Sequence, residues 1–335
     1  MNVMLFIKNL QGRGVSKVYI NIAKGLKKHG YNPFIVLREN NIEVETYDLS
    51  ISVINNDFTK NLENFISQNK IDFIISNNVK YLQNIANFPQ SNIFYTVNML
   101  WGERIFKQFR FIKLLQLRKE YYNKNIIASS NAVKNDLIEK LKIKPKKIEV
   151  IYDVFDFEEI EKKSNEFVPD IQNYILFIGA FGKEKNPLLL LKTYKKLNTD
   201  LKLLIIGKGK LENKMKKYIK KHNLQSKVKF LDFQKNPYPY IKHAKLTLLT
   251  SSNEALHGVA VESLYLNTPV VSTDSKGIRD VLTGELKYFI ANSQTDLLLK
   301  TKKALKHYPE INKEKIKEKF GFNLINKYVA LMEKK

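Results

Sequence analysis

Short apolar runs alternate with stretches whose apolar positions recur every three or four residues, and the alternation continues over most of the chain. Residues 4–7 read as a buried strand, and 18–29 as an amphipathic helix that Gly30 ends. Runs at 33–37, 73–76, 93–97 and 125–129 are further strands. Uninterrupted apolar character suits strands covered on both faces, so the pattern predicts βαβ units and a parallel sheet. A charged, turn-prone stretch at 158–170 breaks the series, and a hinge is expected at 158–166 within it. The second series has strands at 174–179, 201–207, 228–231, 246–250 and 269–272, with helices at 187–197, 211–222 and around 259–266. A last helix is expected over 313–332. The architecture this predicts is α/β, with two Rossmann-like, doubly wound domains, residues 1–160 and 167–314, facing across a cleft. Ligands of open α/β sheets bind at the carboxyl ends of the strands, which makes that cleft the default site.

Composition narrows the class. A chain of 335 residues can bury two cores, and an apolar fraction of 44% with 11% aromatics excludes a disordered or fibrous protein. The absence of cysteine removes disulfide scaffolds, thiolate zinc sites and cysteine nucleophiles, and it fits a reducing cytoplasm. The apolar start at residues 1–7 meets Lys8 at once and has no basic region before it, so no signal peptide is read. No apolar run approaches the roughly 18 residues of a membrane span. Any membrane contact is therefore expected to be peripheral, from the cytoplasmic side.

Charge adds a partner. Lys and Arg total 57 against 33 acids, a net charge of +24, which points to a polyanion even though the lysines are spread along the chain. One stretch concentrates it. Arg104, Lys107, Arg110, Lys113, Arg118 and Lys119 follow one another with no acid between them, and Phe106, Phe109, Ile112, Leu115 and Leu117 interleave largely at helical spacing. One reading is a basic amphipathic helix that turns Arg104, Lys107, Arg110 and Lys113 toward an anionic membrane surface. The other is a surface helix with one face in the core. Zinc-finger spacing, an RNP aromatic signature and basic-zipper heptads are all missing, so nucleic acid is not the expected partner.

Three loops carry candidate chemistry. The first βα turn holds Gly12 and Gly14 but has Lys17 where a dinucleotide fingerprint has its third glycine. Two glycines still let the backbone approach an anion at a helix start, and Glu39 stands roughly where a ribose-binding acid would. After the strand at 174–179, Lys183 and Lys185 precede a helix, a pocket suited to a diphosphate, and Gly209 lies in a flexible turn at the same edge. The richest stretch runs from 251 to 264. There Glu254 precedes a helix that contains Glu262, with His257, Gly258 and Val259 between. Carboxylates in a cleft accept hydrogen bonds from sugar hydroxyls, while exposed N–H groups at Gly258 and Val259 hold phosphate.

At these residues the chain resembles the retaining GT-B glycosyltransferases of family 4 (group 1), of the bacterial surface-polysaccharide and lipopolysaccharide type. The likeness rests on the E-x7-E element at Glu254 and Glu262, the T-P-V-V run at 268–271, the glycine loop at Gly12 and Gly14, the S-N-A-V-K run at 130–134 and the Asn236-Pro237-Tyr238 turn. The resemblance implies a nucleotide-sugar donor, UDP-linked by analogy, in the second domain, and a glycan or lipid-linked acceptor on the first. It implies that the C-terminal segment 315–335 crosses back onto the first domain. It further implies that Glu254 binds donor-sugar hydroxyls and Glu262 the ribose. Lys185, with Lys183, His257 and the amides near Gly12, Gly14 and Gly258, would neutralise the departing diphosphate. No metal is expected. In catalysis Glu254 and Lys185 are joined by Asn98, which stands where the family commonly has histidine. Further departures are Ala180 for an arginine, Ala255 for a glycine, and Asp153 for a hinge asparagine. Two alternatives share this fold: a nucleotide-sugar-modifying, epimerase-like enzyme, and a catalytically silent nucleotide-sugar-binding protein.

Overall fold

The computed structural model describes every residue except Arg13, Asn84, Lys334 and Lys335, and of Lys107 the backbone alone. The chain divides into two units, Met1–Phe155 with Lys319–Lys335, and Asp156–Glu318.

The first unit is built on β1 (Asn2–Ile7), β2 (Asn32–Leu37), β3 (Ser50–Val53), β4 (Phe73–Ser76), β5 (Ile93–Val97), β6 (Asn125–Ala128) and β7 (Lys147–Val150). They pair in the order β3-β2-β1-β4-β5-β6-β7, parallel throughout. Every residue of β4, β5 and β6 is buried, as helices on both faces require. The helix Gly14–Lys28 lays Tyr19, Ile20, Ile22, Ala23 and Leu26 against the sheet and ends on Lys27 and Lys28, cations that suit a helix C-terminus. Leu324, Ile325, Tyr328, Leu331 and Met332 join the same core. Fully burying such side chains contributes about 1.5–3 kcal/mol each, so the end of the chain is anchored by its apolar face.

The second unit uses β8 (Tyr174–Ile178), β9 (Lys202–Ile206), β10 (Val228–Leu231), β11 (Leu246–Leu249), β12 (Val270–Thr273) and β13 (Ile290–Ala291). Its order is β10-β9-β8-β11-β12-β13, again all parallel.

Three expectations need correction. The hinge stretch 158–166 is largely helix, Phe157–Ser164, inside the second unit. Asp156 caps it by accepting from the Glu159 N–H at 3.1 Å, Glu158 and Glu159 lie in its first turn, and Lys162 and Lys163 in its last. The charges that looked turn-prone complement the helix dipole, and the chain passes between units at 155/156 instead. The helix expected over 313–332 is two, Lys313–Phe320 and Ile325–Glu333, parted at Gly321, whose backbone is extended. The basic stretch is likewise two helices, Gly102–Lys107 and Phe111–Tyr121, because Phe109 takes φ +48°. Of the four residues expected to face a membrane, Arg104 and Arg110 are exposed, and the side chain of Lys107 lies outside the described residues. Lys113 is partly buried, with its ammonium 5.7 Å from the centre of the Trp101 ring.

Candidate functional site

In the second unit the strand order reverses between β8 and β11, and a crevice at such a switch point lies outside the carboxyl ends of both strands. The loop after β8 carries Lys183 and Lys185, and the loop after β11 carries Glu254, so the topology alone brings these groups to one edge. The two loops are stitched together. The Thr250 hydroxyl donates to the carbonyls of Lys185 (2.9 Å) and Asn186 (3.1 Å), and the Ser252 N–H donates to Glu184 O at 2.8 Å. Across this seam Lys185 Nζ lies 2.5 Å from Glu254 Oε1, with the side chains 26% and 18% exposed. Such a pair is screened less than a surface one yet remains open to a ligand.

Glu254 is held from behind. Its N–H donates to Ser275 O, and its carbonyl accepts from the Gly277 N–H, both at 3.1 Å. The chain crosses so closely here that a Cβ on residue 277 would stand 2.3 Å from the Ala255 carbonyl oxygen, which only glycine permits. His257 caps the next helix with its ring buried, and its Nε2 meets Ser275 Oγ at 2.7 Å. Burial pushes its pKa down to about 4; Lys185 acts in the same direction and Glu254 against it. The imidazole is therefore neutral at physiological pH and ties the Glu254 loop to the 275–277 turn. The helix Gly258–Tyr265 begins directly after it. His257 O accepts from Ala260 and Val261, and the N–H groups of Gly258 and Val259 enter no backbone hydrogen bond among the described residues.

Glu262 sits in that helix and takes a different partner from Glu254: the Tyr238 hydroxyl donates to its Oε1 at 3.1 Å. Tyr238 is itself buried, in a short helix that starts at a turn where its N–H donates to Asn236 Oδ1. Lys183 is exposed in the β8 loop. Gly209, after β9, passes so near the Phe181 backbone that a Cβ there would lie 2.7 Å from its nitrogen. The assembled edge has one anchored lysine, two carboxylates with fixed backbones and a helix start with open amides. It can hold a diphosphate and hydrogen-bond hydroxyls. Among the described residues no group of three or more His, Cys, Asp or Glu could hold a metal ion.

In the first unit, Gly12 has φ +76°, and its N–H donates to Glu43 Oε2 at 3.1 Å, so a carboxylate already occupies this amide. Gly14 opens the helix with free space around it. Asn98 follows β5 and donates through Nδ2 to Asp153 Oδ1 at 2.8 Å, while its Oδ1 is buried without a partner. Desolvation raises the Asp153 pKa to about 7, partly offset by that hydrogen bond. Tyr19, Thr96, Ser129 and Tyr328 lie around this pair. Sequence reasoning missed the anchoring roles of Tyr238, Ser275, Asp153 and Glu43. Their partners lie 18 to 55 residues away and leave no local pattern.

The family model "Glycosyl transferases group 1" matches residues 156–320, just under half of the chain. A Campylobacter jejuni protein, N-acetylgalactosamine-N,N'-diacetylbacillosaminyl-diphospho-undecaprenol 4-alpha-N-acetylgalactosaminyltransferase, is 38% identical over 157 residues, 47% of this chain and 43% of that one. An uncharacterized glycosyltransferase of Methanocaldococcus jannaschii, MJ1059, is 31% identical over 233 residues, 65% of this chain and 54% of its own. The chain thus spans about half the length of these curated relatives. Among solved structures, Anabaena Alr3699/HepE in complex with UDP and glucose matches at a TM-score of 0.78, with 17% identity and 98% of each chain covered. That likeness extends the fold to the whole chain, which has the two Rossmann-like domains of the GT-B architecture. The second unit, where the Lys185–Glu254 edge lies, is the part of the chain that matches the glycosyl transferases group 1 model.

Proposed function

We propose that the protein is a retaining glycosyltransferase. It moves a hexose or N-acetylhexosamine from a nucleotide-sugar, a UDP-sugar by preference, to a lipid-linked or lipopolysaccharide glycan at the cytoplasmic face of the membrane. The observation that carries the reading is the Lys185–Glu254 ion pair at the switch point of the unit that matches the family. The UDP bound by the Anabaena protein and the undecaprenol-linked acceptor named for the Campylobacter relative support the choice of donor and acceptor.

The ion pair keeps the site neutral and ordered until donor arrives. A diphosphate carries more charge than a carboxylate and takes Lys185 as its partner, aided by the amides of Gly258 and Val259. Glu254 is then released to accept hydrogen bonds from the donor sugar, while Glu262, steadied by Tyr238, receives the ribose hydroxyls. In transfer the bond from the anomeric carbon to the phosphate oxygen breaks and a bond to the acceptor oxygen forms on the same face. The acceptor proton passes to the leaving diphosphate. The protein's contribution is positional and electrostatic, and the cation at Lys185 stabilises charge developing on the leaving group.

The test is incubation with a panel of UDP- and GDP-sugars and a polyprenyl-diphosphate-linked saccharide, followed by NMR of the new linkage. An α-linked product from an α-linked donor is expected. Inverted products would overturn retention, and a folded protein that leaves every donor intact would overturn the reading as a transferase.

A further inference from the structure

The basic stretch folds as a hairpin of the helices Gly102–Lys107 and Phe111–Tyr121, with residues 108–110 at its tip. Phe109 stands there in the left-handed region at φ +48°, a conformation unfavourable for a bulky residue, and its side chain is 80% exposed. Phe111, Ile112 and Leu115 are 57%, 76% and 63% exposed, and Phe106 is 43% exposed. On the second helix Phe111 and Ile112 lie four and three residues before Leu115, so the three share a face. Leu114, Leu117 and Tyr121 form the buried face of the same helix. The helix is therefore apolar on two sides, and nothing in the described chain covers the second. Soluble surfaces rarely carry such a concentration without a partner.

The charge around the tip says which partner. Arg104, Arg110 and Lys119 are exposed and enter no ion pair among the described residues. Lys119 lies four residues after Leu115, on the exposed apolar face. Arg118 is committed elsewhere, its Nε donating to Leu141 O at 2.7 Å. A second copy of this patch would set cation against cation across a two-fold axis. An anionic bilayer accepts apolar side chains below its headgroups and cations at its phosphates.

We propose that the 106–115 tip is a membrane wedge. Phe109, Phe111, Ile112 and Leu115 enter the interfacial layer of an anionic bilayer, and Arg104, Arg110 and Lys119 bind its phosphates. This differs from a basic helix resting on the surface, because the apolar tip carries much of the affinity and salt cannot screen that part. The wedge rests on the proposed function for the reason a bilayer is present, and its test separates the two.

Co-sedimentation would be measured with vesicles of phosphatidylglycerol and phosphatidylcholine, and of phosphatidylcholine alone, at low and high salt. The full chain would be compared with Phe109→Asn/Ile112→Ser/Leu115→Ser, all at exposed positions, and with Arg104→Ser/Arg110→Ser/Lys119→Ser. The wild type is expected to bind anionic vesicles and to keep measurable binding at high salt. The apolar triple should lose on the order of a hundredfold in partition at any salt. Circular dichroism and titration with UDP serve as controls that neither variant disturbs. If the apolar triple binds like the wild type while the basic triple does not, attraction is purely electrostatic and the wedge is wrong. Self-association abolished by the apolar triple, with no vesicle binding, would assign the patch to a second copy and equally overturn it. Vesicle binding by a protein that takes up no nucleotide would leave the wedge standing and remove the donor reading.

Discussion

Asp153 offers the most quantitative consequence of the structure. Its carboxyl carries a pKa raised from 3.8 to about 7 by desolvation, with the Asn98 amide the one group holding it down. The folded state therefore binds this proton more tightly than the unfolded chain does. Its contribution is most favourable below pH 4, falls as pH rises through the window from about 4 to 7, and is constant above. A difference of that size corresponds to about 4 kcal/mol lost by pH 8. Asp153→Asn removes the titration and keeps an acceptor for Asn98 Nδ2, so the variant should match the wild type near pH 4, exceed it increasingly up to about pH 7 and hold that advantage at pH 8. Trp101, the chain's single tryptophan, lies in the first unit and reports its unfolding in urea by fluorescence. Stability differences that stay flat between pH 5 and 8 would refute the raised pKa and the buried environment behind it.

Other consequences concern the second unit. Glu254→Gln frees Lys185 from its ion pair, so UDP should bind a few-fold tighter by calorimetry while sugar transfer is lost; weaker UDP binding would contradict the displacement of Glu254 by diphosphate. Gly277→Ala forces a Cβ against the carbonyls of Ala255 and Glu254 and should cost about 1–3 kcal/mol in thermal or chemical unfolding, with donor binding impaired as the Glu254 loop shifts. His257, with its pKa lowered to about 4, should show no titration between pH 5 and 8 in histidine-selective NMR, and a midpoint near 6.5 would mean that the ring is solvated.

Much of this molecule was legible because central parallel strands advertise themselves. The central strands at 73–76 and 93–97 and the helix 187–197 are found where the apolar runs place them, and so is the edge strand at 228–231. The edge strands β3 and β7 lack that signal: both are half-exposed and carry polar residues, and the sequence pattern marks no strand there. The helix Phe58–Gln68 fully buries only Leu62, too little to set a period. The break at Phe109 was also invisible, since neither glycine nor proline marks it and the basic periodicity runs straight through. At the site, Lys185 and Glu254 were readable as residue types just after strands, and the switch-point topology explains why they meet. Their supports were not readable. Tyr238 reaches Glu262 across 24 residues and Asn98 reaches Asp153 across 55, contacts that exist only once the sheet has formed.

The central claim is that the edge formed by Lys185, Glu254 and Glu262 is a nucleotide-sugar site. Calorimetric titration of UDP and GDP into the wild type, Lys185→Ala and Glu262→Ala tests it directly. One nucleotide should bind the wild type, and each variant should weaken it tenfold or more, since each removes a charged hydrogen-bonding partner worth about 1.5–3 kcal/mol. Binding of neither nucleotide, or binding that both variants leave intact, would contradict the account.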